Sequence, residues 1–268
     1  MGFDIADFHQ LMALEPHGPD TYVGIGPDYP WGRVYGGQVV AQALVAAANT
    51  VEPQFVIHSL HAYFIRGGDC DEPIRFEVDR IRNGRSFITR RVVARQSGGA
   101  ILNLAASFQL EEDEADAPMI TIADGTPAAT EVPLSESWSK LVERRELPAD
   151  PGSGRASAWM RLVDDLGDNP VMHAAGLAYL SDDFPTEAVR ETHPLWLARR
   201  DEEHLFHGAS LDHAIWFHRY RPMTDWQLHD FRGSGMVGGR GVAIGNVFAS
   251  DGTHVATVVQ EALLRVAK

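Results

Sequence analysis

Apolar side chains run almost without interruption through residues 36–51, GGQVVAQALVAAANTV. Gln38, Gln42 and Asn49 fall at i, i+4 and i+11 and form one narrow stripe, while Val39, Val40, Leu44, Val45, Val51 and a run of alanines cover the other faces. This pattern predicts a helix enclosed by protein on nearly every side. At sixteen residues, with amides inside it, the segment is short for a membrane span, so the protein's own sheet must enclose it. Gly36 and Gly37 stand just at its start. Glycines there let a ligand approach the backbone where unpaired N–H groups and the positive end of the dipole favour an oxygen-rich or anionic group; a plain tight turn is the equal alternative.

The pattern then changes period. Four strand-like runs cover residues 56–66, 74–82, 86–95 and 101–110, separated by GGDCDEP, NGR and QSGG, which are hairpin turn signals. A short helix is expected before them, over residues 5–14. Residues from 111 onward turn acidic and rich in Pro and Ala, as an inter-domain connector would, with a helix expected over residues 136–145. A second helical region is expected over residues 155–202, and strands return at 209–219, 226–233, 240–250 and 253–265. The layout is α+β, with a first domain over residues 1–112, a linker over 113–154 and a second domain over 155–268.

The order of one helix and four strands thus occurs twice, and the two copies align. SLHAYFIR from Ser59 to Arg66 faces SLDHAIWFHR from Ser210 to Arg219, and from Gly84 onward a constant offset of 155 carries Arg85 to Arg240, Ala94 to Ala249 and Leu104 to Val259. Two such halves can pair their sheets side by side into one continuous antiparallel sheet, a single-chain version of a two-fold dimer.

Composition narrows the partners. A formal charge of -14 on 268 residues argues against a nucleic-acid surface or an anionic membrane patch. Arg80, Arg82, Arg85, Arg90, Arg91 and Arg95 cluster locally and read as a solvated sheet face in preference to a phosphate site. The single cysteine, Cys70, excludes an internal disulfide, fits a reducing compartment, and sits in an acidic turn that would raise its pKa, so it is not expected to be a nucleophile. No secretory signal or peroxisomal address is recognised, and the cytoplasm is the expected location. His/Cys/carboxylate spacings offer no metal site, and no cofactor is expected.

VYGGQVVAQAL, IHSLHAYFIRGGD, GRSFITRRVVARQ, LAASFQ, LDHAIWFHR and VATVVQEALLR, in that order, resemble the type II acyl-CoA thioesterases, a double hotdog family, over most of the chain. The resemblance implies hydrolysis of an acyl-CoA thioester by an Asp, a Thr and a Gln that hold the attacking water, with no covalent acyl-enzyme. By motif it places the Asp at Asp212, the Gln at Gln260 and the hydroxyl at Ser234, a departure from Thr that keeps the donor and acceptor roles. A free thiolate leaves easily, so a base, an orienting pair and N–H groups for the oxyanion suffice. Asp212 as a structural cap is the plainer alternative. Gln260 as a satisfied core amide is another, since a lone amide in VATVVQEALL is costly unless bonded. His58 reads as a packed strand histidine that lines a pocket at most.

Two rival readings share the architecture. A hotdog enoyl-CoA hydratase would explain Gly167-Asp168-Asn169-Pro170-Val171-Met172-His173, although the Asp–His spacing is shifted from that signature and would turn the two groups to different faces. A non-catalytic acyl-CoA-binding regulator needs only the fold. Whether two such chains pair further through their sheets as a homo-oligomer is left open by the sequence.

Overall fold

The computed structural model describes residues 2–199 and 205–267, so the end of the expected helical region, 200–202, lies outside the described residues. In chain order the elements are α1 (Phe8–Met12), β1 (Glu15–Pro16), β2 (Thr21–Gly24), α2 (Gly36–Ala48), β3 (Phe55–Phe64), β4 (Ile74–Asn83), β5 (Phe87–Gln96) and β6 (Gly99–Leu110). A 3-10 turn at Ala129–Glu131 precedes β7 (Val142–Glu146), β8 (Arg155–Leu162), α3 (Pro170–Leu180), α4 (Pro185–Arg190) and α5 (Pro194–Ala198). The chain ends with β9 (Phe206–Ser210), β10 (Asp212–Phe217), β11 (Gln227–Val237), β12 (Arg240–Ala249) and β13 (His254–Val266).

Among the described residues, thirteen strands form one antiparallel sheet in the order β1-β2-β4-β5-β6-β3-β10-β13-β12-β11-β8-β7, with β9 also on β13. The halves meet where β3 pairs β10, Leu60 opposite Ile215 and Ala62 opposite His213. One sheet therefore carries both helix layers, as the repeat predicts. α2 and α3 pack antiparallel against each other on its inner face: the start of α2 touches the end of α3, where the Tyr35 hydroxyl donates to the Tyr179 carbonyl at 2.8 Å. Removing everything after residue 112 would bare the edge of β3 at residues 59–63, where β10 pairs with it. Residues 1–112 alone should therefore aggregate or self-pair, which size-exclusion chromatography with light scattering will read. A soluble monomeric half that melts cooperatively would contradict this.

The buried helix forms as its pattern predicts. Val40, Ala41, Ala43, Leu44, Ala46 and Ala47 have no exposed surface. The amide stripe faces protein and is fully bonded: Gln38 accepts from the Tyr29 hydroxyl and donates to Gln42, and Gln42 donates to the carbonyls of Leu11 and Ile25 at 2.8 and 2.9 Å. Those bonds fasten the N-terminal segment onto α2, and Asn49 alone of the stripe is exposed.

Four expectations change. The helix expected over 136–145 is absent; residues 142–146 form β7, which pairs β8 at the sheet edge. The region from 155 opens with a strand, β8, on β11, so part of the expected linker belongs to the second half's sheet. The constant offset fails across the last hairpin. Leu104 is buried while its partner Val259 faces outward, and Gln260 is buried while Ala105 is exposed. A change of one residue between the two hairpins exchanges the faces. Finally, the arginine cluster is not all solvated. Arg80, Arg91 and Arg95 make ion pairs on the surface, but Arg90 is 1% exposed. Its guanidinium donates to Thr50 Oγ1 and to the carbonyls of Thr50, Arg82 and Thr89, beyond the C-terminal end of α2 where the dipole favours a cation.

Candidate active site

The first turn of α2 is held close to the end of α3, and the two glycines make that approach possible. A Cβ on Gly36 would meet Asp182 Oδ2 at 2.5 Å, and one on Gly37 would meet the Tyr179 carbonyl oxygen at 2.4 Å. Both contacts are far inside van der Waals limits, so Gly36 and Gly37 serve close approach and not merely a turn. Tyr35 occupies the N-cap position, but its own side chain makes no capping bond; the cap comes from Asp182, far along the chain. The Gly37 N–H donates to the Asp182 carboxylate.

From Asp182 a chain of hydrogen bonds runs into the sheet. The Ser210 hydroxyl donates to Asp182 Oδ1 at 2.9 Å. Gln260 Nε2 donates to Ser210 Oγ at 2.9 Å. Gln260 Oε1 in turn accepts from His213 Nδ1 at 2.5 Å, and the far ring nitrogen of His213 meets Ser181 Oγ at 2.9 Å. Gln260 and His213 are fully buried and Asp182 nearly so. Burial depresses the His213 pKa to about 4, so the ring is neutral at pH 7 and its one N–H is taken by Gln260. That bond fixes the amide so that its NH₂ faces Ser210 and Asp182.

Burial also pushes the Asp182 pKa up to about 7, opposed by its bonds from Ser210, Gln260 and Gly37. Its neighbour Asp183 rises to about 6 by burial, moderated by Arg144 and by the Trp138 indole N–H, which donates at 2.9 Å. A carboxyl poised near neutrality, bonded to a hydroxyl and an amide at the first turn of a helix, is suited to general-base chemistry on a substrate that develops negative charge.

Of the sequence candidates, Gln260, Gly36 and Gly37 lie in this constellation, and three others do not. Asp212 stands opposite Glu261, one residue from the His213–Gln260 rung, and so belongs to the other face. Its Oδ1 accepts the Glu261 N–H at 2.7 Å where β9 gives way to β10. Ser234 is exposed in the bulge of β11 between Gly233 and Met236, with β12 lying between it and β13. Two strand spacings, about 10 Å, separate it from Gln260. His58 lies at the opposite end of the helix pair, where its Nε2 meets Ser107 Oγ at 2.8 Å.

Asp182 and Ser210 were missed, yet Asp182 carried a signal. The acids of MHAAGLAYLSDD sit at the end of an apolar helix, where the dipole disfavours them. The hydratase reading loses its base: His173 Nε2 is bonded at the Gly167 carbonyl and Nδ1 accepts from the Met223 N–H, leaving neither nitrogen for a substrate. Cys70 is buried, which raises its thiol pKa, with Asp28, Asp69 and Asp71 adding to the effect. No helix among the described residues is long and apolar enough to cross a membrane.

Comparison with known proteins agrees over most of the chain. Residues 26–109 match the acyl-CoA thioesterase N-terminal domain family and residues 112–264 the acyl-CoA thioesterase C-terminal domain family. The chain is 30% identical over 277 residues to acyl-CoA thioesterase 2 of Haemophilus influenzae, covering 95% of this chain and 96% of that protein. It is 30% identical over 294 residues to human acyl-coenzyme A thioesterase 8, covering 96% and 88%. Among solved structures, acyl-CoA thioesterase II TesB2 of Mycobacterium marinum superposes with a TM-score of 0.83 at 35% identity, covering 97% of this chain and 98% of that one. With its two helix-wrapped halves on a single sheet, the chain belongs to the type II acyl-CoA thioesterase family and has the double hotdog fold.

Proposed function

We propose that this chain hydrolyses fatty acyl-CoA to the free fatty acid and coenzyme A by direct attack of a water held by Asp182, Ser210 and Gln260. The observation that carries the reading is their unbroken chain of hydrogen bonds beside the first turn of α2. Asp182 takes one proton from the water as its oxygen bonds to the thioester carbon. The first-turn N–H groups of α2 other than that of Gly37 receive the carbonyl oxygen as it becomes an oxyanion, helped by the dipole. Collapse of the tetrahedral species breaks the C–S bond, and the proton held by Asp182 leaves with the thiolate. A thiol of pKa about 8.5 departs as the thiolate without strong acid assistance. Acyl-CoA is the partner this chemistry requires, and the cytoplasm remains our expectation for where it works.

Ser210 orients the water in this scheme and is not acylated. Ser210→Ala should lower kcat by about 10- to 10²-fold, the worth of a hydrogen bond to a charged group at 1.5–3 kcal/mol. Ser210→Thr should keep most activity, and Ser234→Ala, on the far strand, should leave it unchanged. Release of free thiol from acyl-CoA reads all three. Mass spectrometry that catches an acyl group on Ser210 during turnover would sink the water mechanism.

A further inference from the structure

The internal repeat places a second cavity where the first half would have its own active site. The proposed catalytic residues lie between the start of α2, the end of α3, the end of β3 at Phe64 and the β9–β10 junction. The counterpart of this site lies between the start of α3, the end of α2, the end of β10 at Phe217 and the start of β3, and a cleft of about 1340 Å³ opens there. That exceeds the roughly 300–1,000 Å³ of ordinary ligand pockets.

Position by position, the cleft has lost its chemistry. Asp182 follows the C-cap residue of α3, and the residue that follows the C-cap of α2 is Thr50. The rung His213–Gln260–Ala243 corresponds to Leu60–Ala106–Arg90, an equivalence that pairs Arg219 with Arg66 as the repeat does. An alanine thus replaces the catalytic amide, and the Arg90 guanidinium is bonded to Thr50, where the carboxylate would be. The start of α3 is closed as well: Asn169 caps it at 3.0 Å from the Val171 N–H, and Pro170 has no N–H to offer. No oxyanion site remains. What persists is an apolar wall, including Leu44, Val51, Phe55, Phe108, Leu177 and Phe217. The rim is mixed and polar: Arg219 and Arg221 stand among the carboxylates of Glu52, Glu111, Glu112, Asp113 and Asp168, so that the apolar wall and not the rim charge carries binding. Those two arginines are paired with Asp116 and Asp251, whose side chains are exposed, and exposed pairs exchange partners at small cost.

We propose that this cleft is a second fatty-acyl binding site, which holds an acyl chain by its tail without turning it over. It rests on the reading of the chain as an acyl-CoA hydrolase, since the repeat transfers the ligand class from one pocket to the other. The head group can come from acyl-CoA or from the fatty acid product, and both present an anion beyond an apolar chain.

Isothermal titration with the non-hydrolysable thioether S-dodecyl-CoA tests this. The wild type should take two equivalents. Ala174→Trp, which fills the cleft between α3 and the sheet, should take one while retaining its melting temperature and its hydrolysis of butyryl- and dodecanoyl-CoA. Val171→Trp, nearer the rim, is the second plug should the first not fold. Titration with dodecanoate identifies the source: an equivalent lost in the plugged variant means the acyl chain alone is recognised, and binding of the thioether only means the CoA half contributes. A single equivalent on the wild type, or two on both plugged variants, overturns the proposal. So does a plug that lowers kcat/KM for dodecanoyl-CoA and spares butyryl-CoA, because the cleft would then be the far end of the catalytic pocket. Absence of any thiol release by the wild type would refute the proposed reaction instead, and the stoichiometry would still decide the cleft.

Discussion

Asp182→Asn should lower kcat by roughly 10²- to 10⁴-fold, the range for removal of a positioned general base, and should at the same time make the protein more stable above neutral pH. Both effects have one cause. The Asp182 carboxyl is enclosed by protein and its pKa is raised to about 7, so it is ionised in the folded state only at the expense of desolvation. In the unfolded chain it ionises near its ordinary value of 3.8. A raised folded pKa means that its contribution to stability is fully present below about pH 4 and is lost as pH rises through 7. Every tenfold change in proton affinity between the two states is worth about 1.4 kcal/mol, and the Asn amide must be set against the Gly37 N–H, so a net gain on the order of 2 kcal/mol at pH 8 is expected. For a chain of this size that is about 4–8 °C in Tm, with no difference at pH 4. Wild-type kcat/KM should rise with pH through about 7 as the base ionises, and this rise should vanish in the variant. Asp212→Asn is the matched control, with little change in kcat, because its carboxylate serves a backbone N–H on the other face. A variant at Asp182 that keeps wild-type thiol release, or Asp212→Asn that loses it, would return the base to the position the family motif first suggested.

The distance between that suggestion and the geometry shows what periodicity encodes. α2 was legible because an all-round apolar helix has one physical interpretation, and the hairpins were legible because turn residues punctuate runs of period two. The last two strands of the sheet, β8 and the edge strand β7, were not. VERRE at 142–146 has no apolar alternation, and it is a strand because β8 offers it an unpaired edge. Gln260 could be found because an amide in an apolar strand demands a partner. Asp182 and Ser210 lie 28 residues apart, and Ser210 and Gln260 50 apart. Their meeting depends on the antiparallel packing of α2 on α3, which no local window contains. Asp212 lies only two residues beyond Ser210, and that short step carries it across the break between β9 and β10 to the other face.

Gln260→Ala should reduce kcat by about 10²-fold or more, the cost of deleting one preorganised donor at a reacting centre. The amide is the middle link of the chain: His213 holds its oxygen, and its NH₂ holds Ser210 Oγ and the Asp182 carboxylate. Removing it therefore frees the hydroxyl to rotate and takes a donor from the base, which raises the pKa of Asp182 further because that bond favours the ionised form. The pH at which kcat/KM reaches half its plateau should move upward from about 7, a displacement that a purely structural glutamine would not produce. His213→Ala should show a weaker version of the same displacement, since the ring only orients the amide. Groups that act on one water do not contribute independently, so the Asp182→Asn, Gln260→Ala double variant should be little slower than Asp182→Asn alone. Multiplicative losses in the double variant, with the pH midpoint of Gln260→Ala unmoved, would show that Gln260 acts apart from Asp182 and that the two do not share the attacking water.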